Sequence, residues 1–162
     1  MITDPRFDPR PDGRNETRTE RFDRNWSDIL QELRAVQTGT QIISGFLLAA
    51  AFQPRFTDLD PYQLTLYLVL VVLAASATLL GLGPVILHRR LFGQLQKERI
   101  VRIGSGLLLA DLVVVSLLAA GVTSLIFDVA LGRIEGFIAL GLTLLAVVVL
   151  WVIVPRTSAE RD

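Results

Sequence analysis

The sequence predicts an all-α membrane protein, with four transmembrane helices preceded by a cytoplasmic amphipathic helix. Two observations carry this expectation. The first is where charge is missing. Residues 35–54, 61–87 and 136–155 carry no charged side chain, and residues 103–127 carry one, Asp111. These stretches hold 92 of the 162 residues but one of the 32 Asp, Glu, Lys and Arg side chains. A bilayer's hydrocarbon core is about 30 Å thick and takes roughly 20 apolar residues to cross as a helix, so each stretch is long enough. The second is where the cations fall. Seven Lys and Arg precede residue 35, five lie in 88–102 and two follow residue 155, against Arg55 and Arg133 in the remaining connections. Cytoplasmic loops carry the excess of Lys and Arg, so both termini and the 88–102 loop are expected in the cytoplasm, at the cell membrane.

Residues 1–21 are charge-dense, with Pro5, Pro9, Pro11 and Gly13, and read as a disordered polar tail. The bundle then occupies 22–155. Phe22, Trp26, Ile29, Leu30 and Leu33 recur at helical spacing among charged residues, which predicts an amphipathic helix. No Gly or Pro separates it from the first span, so the two should be continuous. Its apolar face either lies among headgroups or packs on the cytosolic ends of other spans.

Span 1 covers about 35–53 and starts polar, with Gln37, Thr38, Thr40, Gln41 and Ser44. Residues 37, 41 and 44 share a face, which suits a helix–helix contact. The long acidic stretch ahead of this span argues against a signal peptide. Asp60-Pro61-Tyr62-Gln63 reads as a helix start: Asp60 as N-cap, Pro61 in the first turn, Gln63 completing the box. Span 2, about 62–87, contains the small-residue patch Ala74–Thr78 and a helix-interior proline, Pro84, which predicts a kink.

The loop 88–102 is basic. Arg89, Arg90, Lys97, Arg99 and Arg102 are candidate lipid-headgroup contacts on an interfacial helix. Spans 3 and 4 follow at about 103–127 and 136–155, joined by residues 128–135, with Trp151 as an interface anchor. A polar tail, 156–162, ends the chain.

The absence of Cys excludes disulfides, iron–sulfur clusters and thiolate zinc sites. His88 sits beside Arg89 and Arg90, a poor setting for a metal or a catalytic base. No phosphate-binding or dinucleotide-binding glycine pattern occurs, and zero net charge gives no pull toward nucleic acid. The sequence therefore predicts no enzyme, metal or cofactor.

Asp111 lies about 12 Å into span 3, counted at 1.5 Å per residue. A carboxylate there should face the bundle, either as a proton or cation site or as a structural hydrogen bond between spans. Gln41 and Gln37 lie at similar depth on span 1, and one of them should bond it.

The run Asp28-Ile29-Leu30-Gln31-Glu32-Leu33-Arg34-Ala35-Val36-Gln37-Thr38-Gly39, then Phe52-Gln53-Pro54-Arg55-Phe56, then Pro84-Val85-Ile86-Leu87-His88-Arg89, resembles an uncharacterised bacterial family of small four-span membrane proteins. The resemblance covers about 26–155. Some relatives carry an automatic label of sodium/proton antiporter, and no site residues carry over. Two functions remain open. The first is a structural, scaffolding or accessory membrane component, with the lipid bilayer, a homo-oligomer or another membrane protein as partner. The second is a small oligomeric ion- or proton-coupled transporter using Asp111.

Overall fold

The computed structural model describes residues 17–91 and 97–159, and every regular element among them is helical. The order is α1 (Arg18–Ala50), a 3-10 turn (Pro54–Asp58), α2 (Pro61–Leu91), α3 (Lys97–Ala130) and α4 (Arg133–Ala159). Three helices contain segments long and apolar enough to cross a membrane: Pro61–Ile86, Val101–Ala130 and Arg133–Val152. The polar residues of α1 keep it out of that set.

The central helix is α3. It packs against α1, α2 and α4, while α1 and α2 also pack on each other. Helical spacing puts the contact residues in stripes. On α1 the buried line is Trp26, Ile29, Leu33, Thr40 and Leu47; on α2 it is Tyr67, Leu70, Ala74 and Ala77. One face of α3 buries Leu108, Asp111, Leu118 and Leu125, and another buries Ala120, Ser124 and Asp128 toward α4. The outward faces are rich in exposed Leu, Ile, Val and Phe, as a lipid-facing surface would be.

Several boundaries differ from the sequence expectation. The chain becomes helical at Arg18, inside the stretch read as tail, because Thr17 and Glu20 form a capping box: Thr17 Oγ1 accepts from the Glu20 amide and Glu20 Oε2 accepts from the Thr17 amide. Residues 1–16 and 160–162, the remainder of the expected tails, lie outside the described residues. The C-terminal tail is helical to Ala159. The basic loop is not a separate helix among the described residues. Its two ends continue α2 to Leu91 and begin α3 at Lys97, because no helix breaker stands at either junction. The 128–135 connection shrinks to Leu131 and Gly132. Gly132 has φ +139°, a backbone region that favours glycine, and its amide closes on the Phe127 carbonyl. Helix α2 continues through Pro84.

As expected, α1 is one uninterrupted helix. Its first half packs on the start of α3: Trp26, Ile29 and Leu33 form a cluster with Leu108, flanked by Val101 and Leu112. Gly104 makes room for the Trp26 ring, since a Cβ there would fall 2.6 Å from Trp26 Cζ3. Its far end is fully satisfied. The four carbonyls that a helix leaves open at its C-terminus are those of Leu47, Leu48, Ala49 and Ala50. The last three accept from the amides of Ala51, Phe52 and Gln53. The Leu47 carbonyl accepts from the buried Tyr67 hydroxyl on α2, 2.8 Å, and Phe56 of the 3-10 turn packs edge-on against the Tyr67 ring.

Candidate functional site

Two polar constellations interrupt the apolar packing. The first joins α1, α2 and α3. Asp111 is fully buried. Its Oδ2 accepts from Gln37 Nε2 at 3.2 Å, and the same nitrogen donates to the Ala77 carbonyl of α2 at 3.0 Å. The other carboxyl oxygen, Oδ1, is equally buried and has no hydrogen-bond partner among the described residues. Gly81, one turn beyond Ala77, clears the space for the glutamine: a Cβ there would fall 1.8 Å from Gln37 Nε2. Thr40, also buried, returns its hydroxyl to the Val36 carbonyl. Each helix thus supplies one part: α3 the carboxyl, α1 the amide, α2 a carbonyl and a gap.

Gln37 is brought to Asp111 and Gln41 is not. The side chain of Gln41 is exposed. At 100° per residue the buried line of α1 runs through Leu33, Gln37, Thr40 and Leu47, which leaves Gln41 about 90° off its centre. The face shared by residues 37, 41 and 44 is centred about 50° round from that line, so it includes Gln37 at the contact and leaves Gln41 outside it.

The second constellation lies at the opposite end of the bundle, where α2 starts, α3 ends and α4 starts. The expected box is present: Asp60 Oδ1 accepts from the Gln63 amide at 2.9 Å and Gln63 Oε1 accepts from the Asp60 amide at 3.1 Å. Gln63 also donates to Asp128 Oδ1, 2.6 Å. Arg133 pairs with Asp60 and, at 3.0 Å, with Asp128 Oδ2, while its guanidinium sits 3.8 Å from the Tyr62 ring centre. Asp128 is the buried member, its side chain 3% exposed. The sequence reading takes Asp60 and Gln63 as a helix cap and Arg133 as a charge in a connection, and the cluster they form with Asp128 is not among its expectations. The available signal was that all the charges of two short connections meet at one end of the bundle once the hairpins are antiparallel. Just beneath, Ser124 Oγ donates to the Gly136 carbonyl at 2.9 Å, holding α4 to α3.

Of the candidate headgroup contacts, Arg89 and Arg102 are exposed on α2 and α3. The side chains of Arg90, Lys97 and Arg99 lie outside the described part of the structure. No group of three or more His, Cys, Asp or Glu able to hold a metal occurs among the described residues.

A model described as a family of unknown function, DUF6328, matches residues 15–155. This agrees with the resemblance to an uncharacterised family and extends it into the N-terminal stretch. No curated protein and no solved structure shows significant similarity to the chain.

Proposed function

We propose that this chain, which belongs to the DUF6328 family of unknown function, is a four-span protein of the cell membrane with a structural, scaffolding or accessory role and no enzymatic activity. In this reading α1 is the additional span. Its charge-free part spans residues 35–50, about 24 Å, and the uncharged 51–54 follow it; it packs alongside α2 and α3, and its C-terminal carbonyls are all occupied, as hydrocarbon requires. Counting about 20 residues, or 30 Å, inward from the polar outer cluster reaches Gly81 on α2, Leu108 on α3 and Val152 on α4, and Leu33 of α1 packs against Leu108 at that level. The Gln37–Asp111 crosslink then sits about one turn inside the inner edge, shallower than its count from the charge boundary of α3 suggested. The excess of Lys and Arg puts the termini and the 88–102 segment in the cytoplasm, where Arg89 and Arg102 reach lipid phosphates.

The observation that carries the structural role is the packing of Asp111. Its carboxyl is fully buried and held by an amide that is itself anchored to the α2 backbone. Such a group ties three helices together, whereas a transport site needs an aqueous path. One observation favours the second reading, an oligomeric proton- or ion-coupled transporter: the unpartnered Oδ1 of Asp111.

Asp111→Asn separates the two. The amide keeps the size and hydrogen-bonding capacity of the carboxyl but exchanges no proton. In liposomes under a pH gradient, the structural reading expects no flux from wild type above empty vesicles, and expects the Asn variant to fold and assemble normally. Wild-type flux that the Asn variant abolishes at unchanged stability would establish the transporter instead.

A further inference from the structure

We infer that the outward face of α1 is the seat of a second copy of this chain, paired through Gln41. The inference rests on the reading of α1 as a span. The polar residues of its charge-free run are otherwise accounted for within the chain. Gln37 bonds Asp111 and the Ala77 carbonyl, while Thr38, Thr40 and Ser44 return their hydroxyls to carbonyls four residues back. Gln41 is the exception. It is exposed, without a hydrogen-bond partner among the described residues, and seven residues, about 10 Å, beyond Arg34. A primary amide facing lipid at that depth loses water and gains nothing in return.

Ile42, Phe46 and Leu48 are exposed on α1 too, but Gln41 stands among them, and among the described residues the outward surfaces of α2, α3 and α4 carry no exposed, unpaired amide side chain. They are dominated by exposed Leu, Ile, Val and Phe, which acyl chains solvate well. Lipid therefore suits those faces and not the Gln41 face of α1, and α4 packs on α3, leaving α1 uncovered.

The complement of a primary amide is another primary amide, since each offers one acceptor and two donors. Across a two-fold axis along the membrane normal the two Gln41 side chains meet as donor and acceptor in both directions, the self-complementary contact of an isologous dimer. One and two turns along the same face stand Gly45 and Ala49, both exposed, with nothing within 4 Å of the position a Cβ would take at Gly45. The spacing of 41, 45 and 49 suits a close right-handed helix crossing. Such a crossing opens toward Arg34 and keeps the two cations apart.

The natural chain has no cysteine, so single-cysteine variants of the full chain report without background. In native membranes under an oxidant, Ala49→Cys should cross-link to a product of twice the chain mass, and Leu145→Cys, on the lipid face of α4, should not. In liposomes, energy transfer between labelled full-length chains should fall with lipid dilution. Gln41→Leu should weaken association about five- to tenfold, as expected for two membrane hydrogen bonds. Ile42→Cys should resist a water-soluble maleimide. A monomer at every dilution with Ile42→Cys still shielded overturns the pairing and leaves the span intact. Rapid labelling of Ile42→Cys overturns the span itself. A cross-linked product of another mass assigns the face to a different protein and overturns the second copy.

Discussion

Gly81→Ala tests the three-helix crosslink without touching any of its polar groups. A Cβ at Gly81 would lie 1.8 Å from Gln37 Nε2 and 2.4 Å from its Cδ. Both atoms end a flexible side chain, so the helices need not part; Gln37 must swing away. Two hydrogen bonds then go, to the Ala77 carbonyl and to Asp111, each worth about 0.6 kcal/mol in a membrane protein. Asp111 is left fully buried with neither oxygen bonded, a further penalty of about 1–3 kcal/mol. Against this, Ala is the better helix former by up to about 1 kcal/mol. The net expectation is a destabilisation of about 1–3 kcal/mol, read as reversible unfolding of the full chain in mild detergent. The decisive comparison is a double-mutant cycle with Gln37→Ala. With the glutamine gone, Gly81→Ala should be neutral or slightly stabilising. An equal loss in both backgrounds would show that Gly81 matters for something other than Gln37, and the account of the crosslink would fail.

Gly136→Ala cannot be relieved in the same way, because a Cβ there meets Asp128 Cβ at 2.8 Å and the Ser124 carbonyl at 3.0 Å. Helix α4 has to move off α3, at about 1–3 kcal/mol, and unchanged unfolding would contradict the close crossing. Arg133→Met removes the cation from Asp128; a fully buried pair broken this way loses about 3–5 kcal/mol. Because the Arg133 and Asp60 side chains are 36% and 44% exposed, about 1–3 kcal/mol is expected here, with faster proteolysis of the 53–60 connection as the local readout. At the start of α1, the Thr17 backbone amide and then its hydroxyl hold the Glu20 carboxyl below its ordinary value of 4.5. The cap's stabilisation is therefore complete above that value and lost as pH falls through the lowered titration point. Amide exchange over residues 18–22, corrected for intrinsic pH dependence, should rise on acidification and in Thr17→Ala at neutral pH. Thr17→Ala keeps the backbone amide bond to Glu20, so acid should still raise exchange in that variant; an acid response that persists in Glu20→Gln would separate the cap from Glu20.

Charge-free runs were enough to place three apolar spans, because hydrocarbon tolerates so few charges that their absence is itself a pattern, and the lack of Gly and Pro over residues 22–38 was enough for the continuity of α1. The Asp60-Pro61-Gln63 start was legible because a capping box is local: donor and acceptor are three residues apart. The partner of Asp111 was legible to within one helical turn, since depth can be counted along a sequence. The choice between Gln37 and Gln41 was not, because it depends on the rotation of α1, which the packing of Trp26, Leu33 and Leu47 sets. The early start at Arg18 was masked by a polar composition that reads as tail unless Thr17 and Glu20 are taken together. Least legible was the outer cluster. Asp60, Gln63, Asp128 and Arg133 are separated by up to 73 residues and meet only when three helix ends are brought to one place.

The central claim is that α1 crosses the membrane with α2, α3 and α4, so that the chain makes four passes. It is tested most directly by the sidedness of two reporters that flank α1 in the full-length protein, one fused ahead of residue 1 and one inserted within residues 56–59. The account predicts a cytoplasmic signal from the first and an extracytoplasmic signal from the second. Reporters on the same side, or the two sides exchanged, would contradict it.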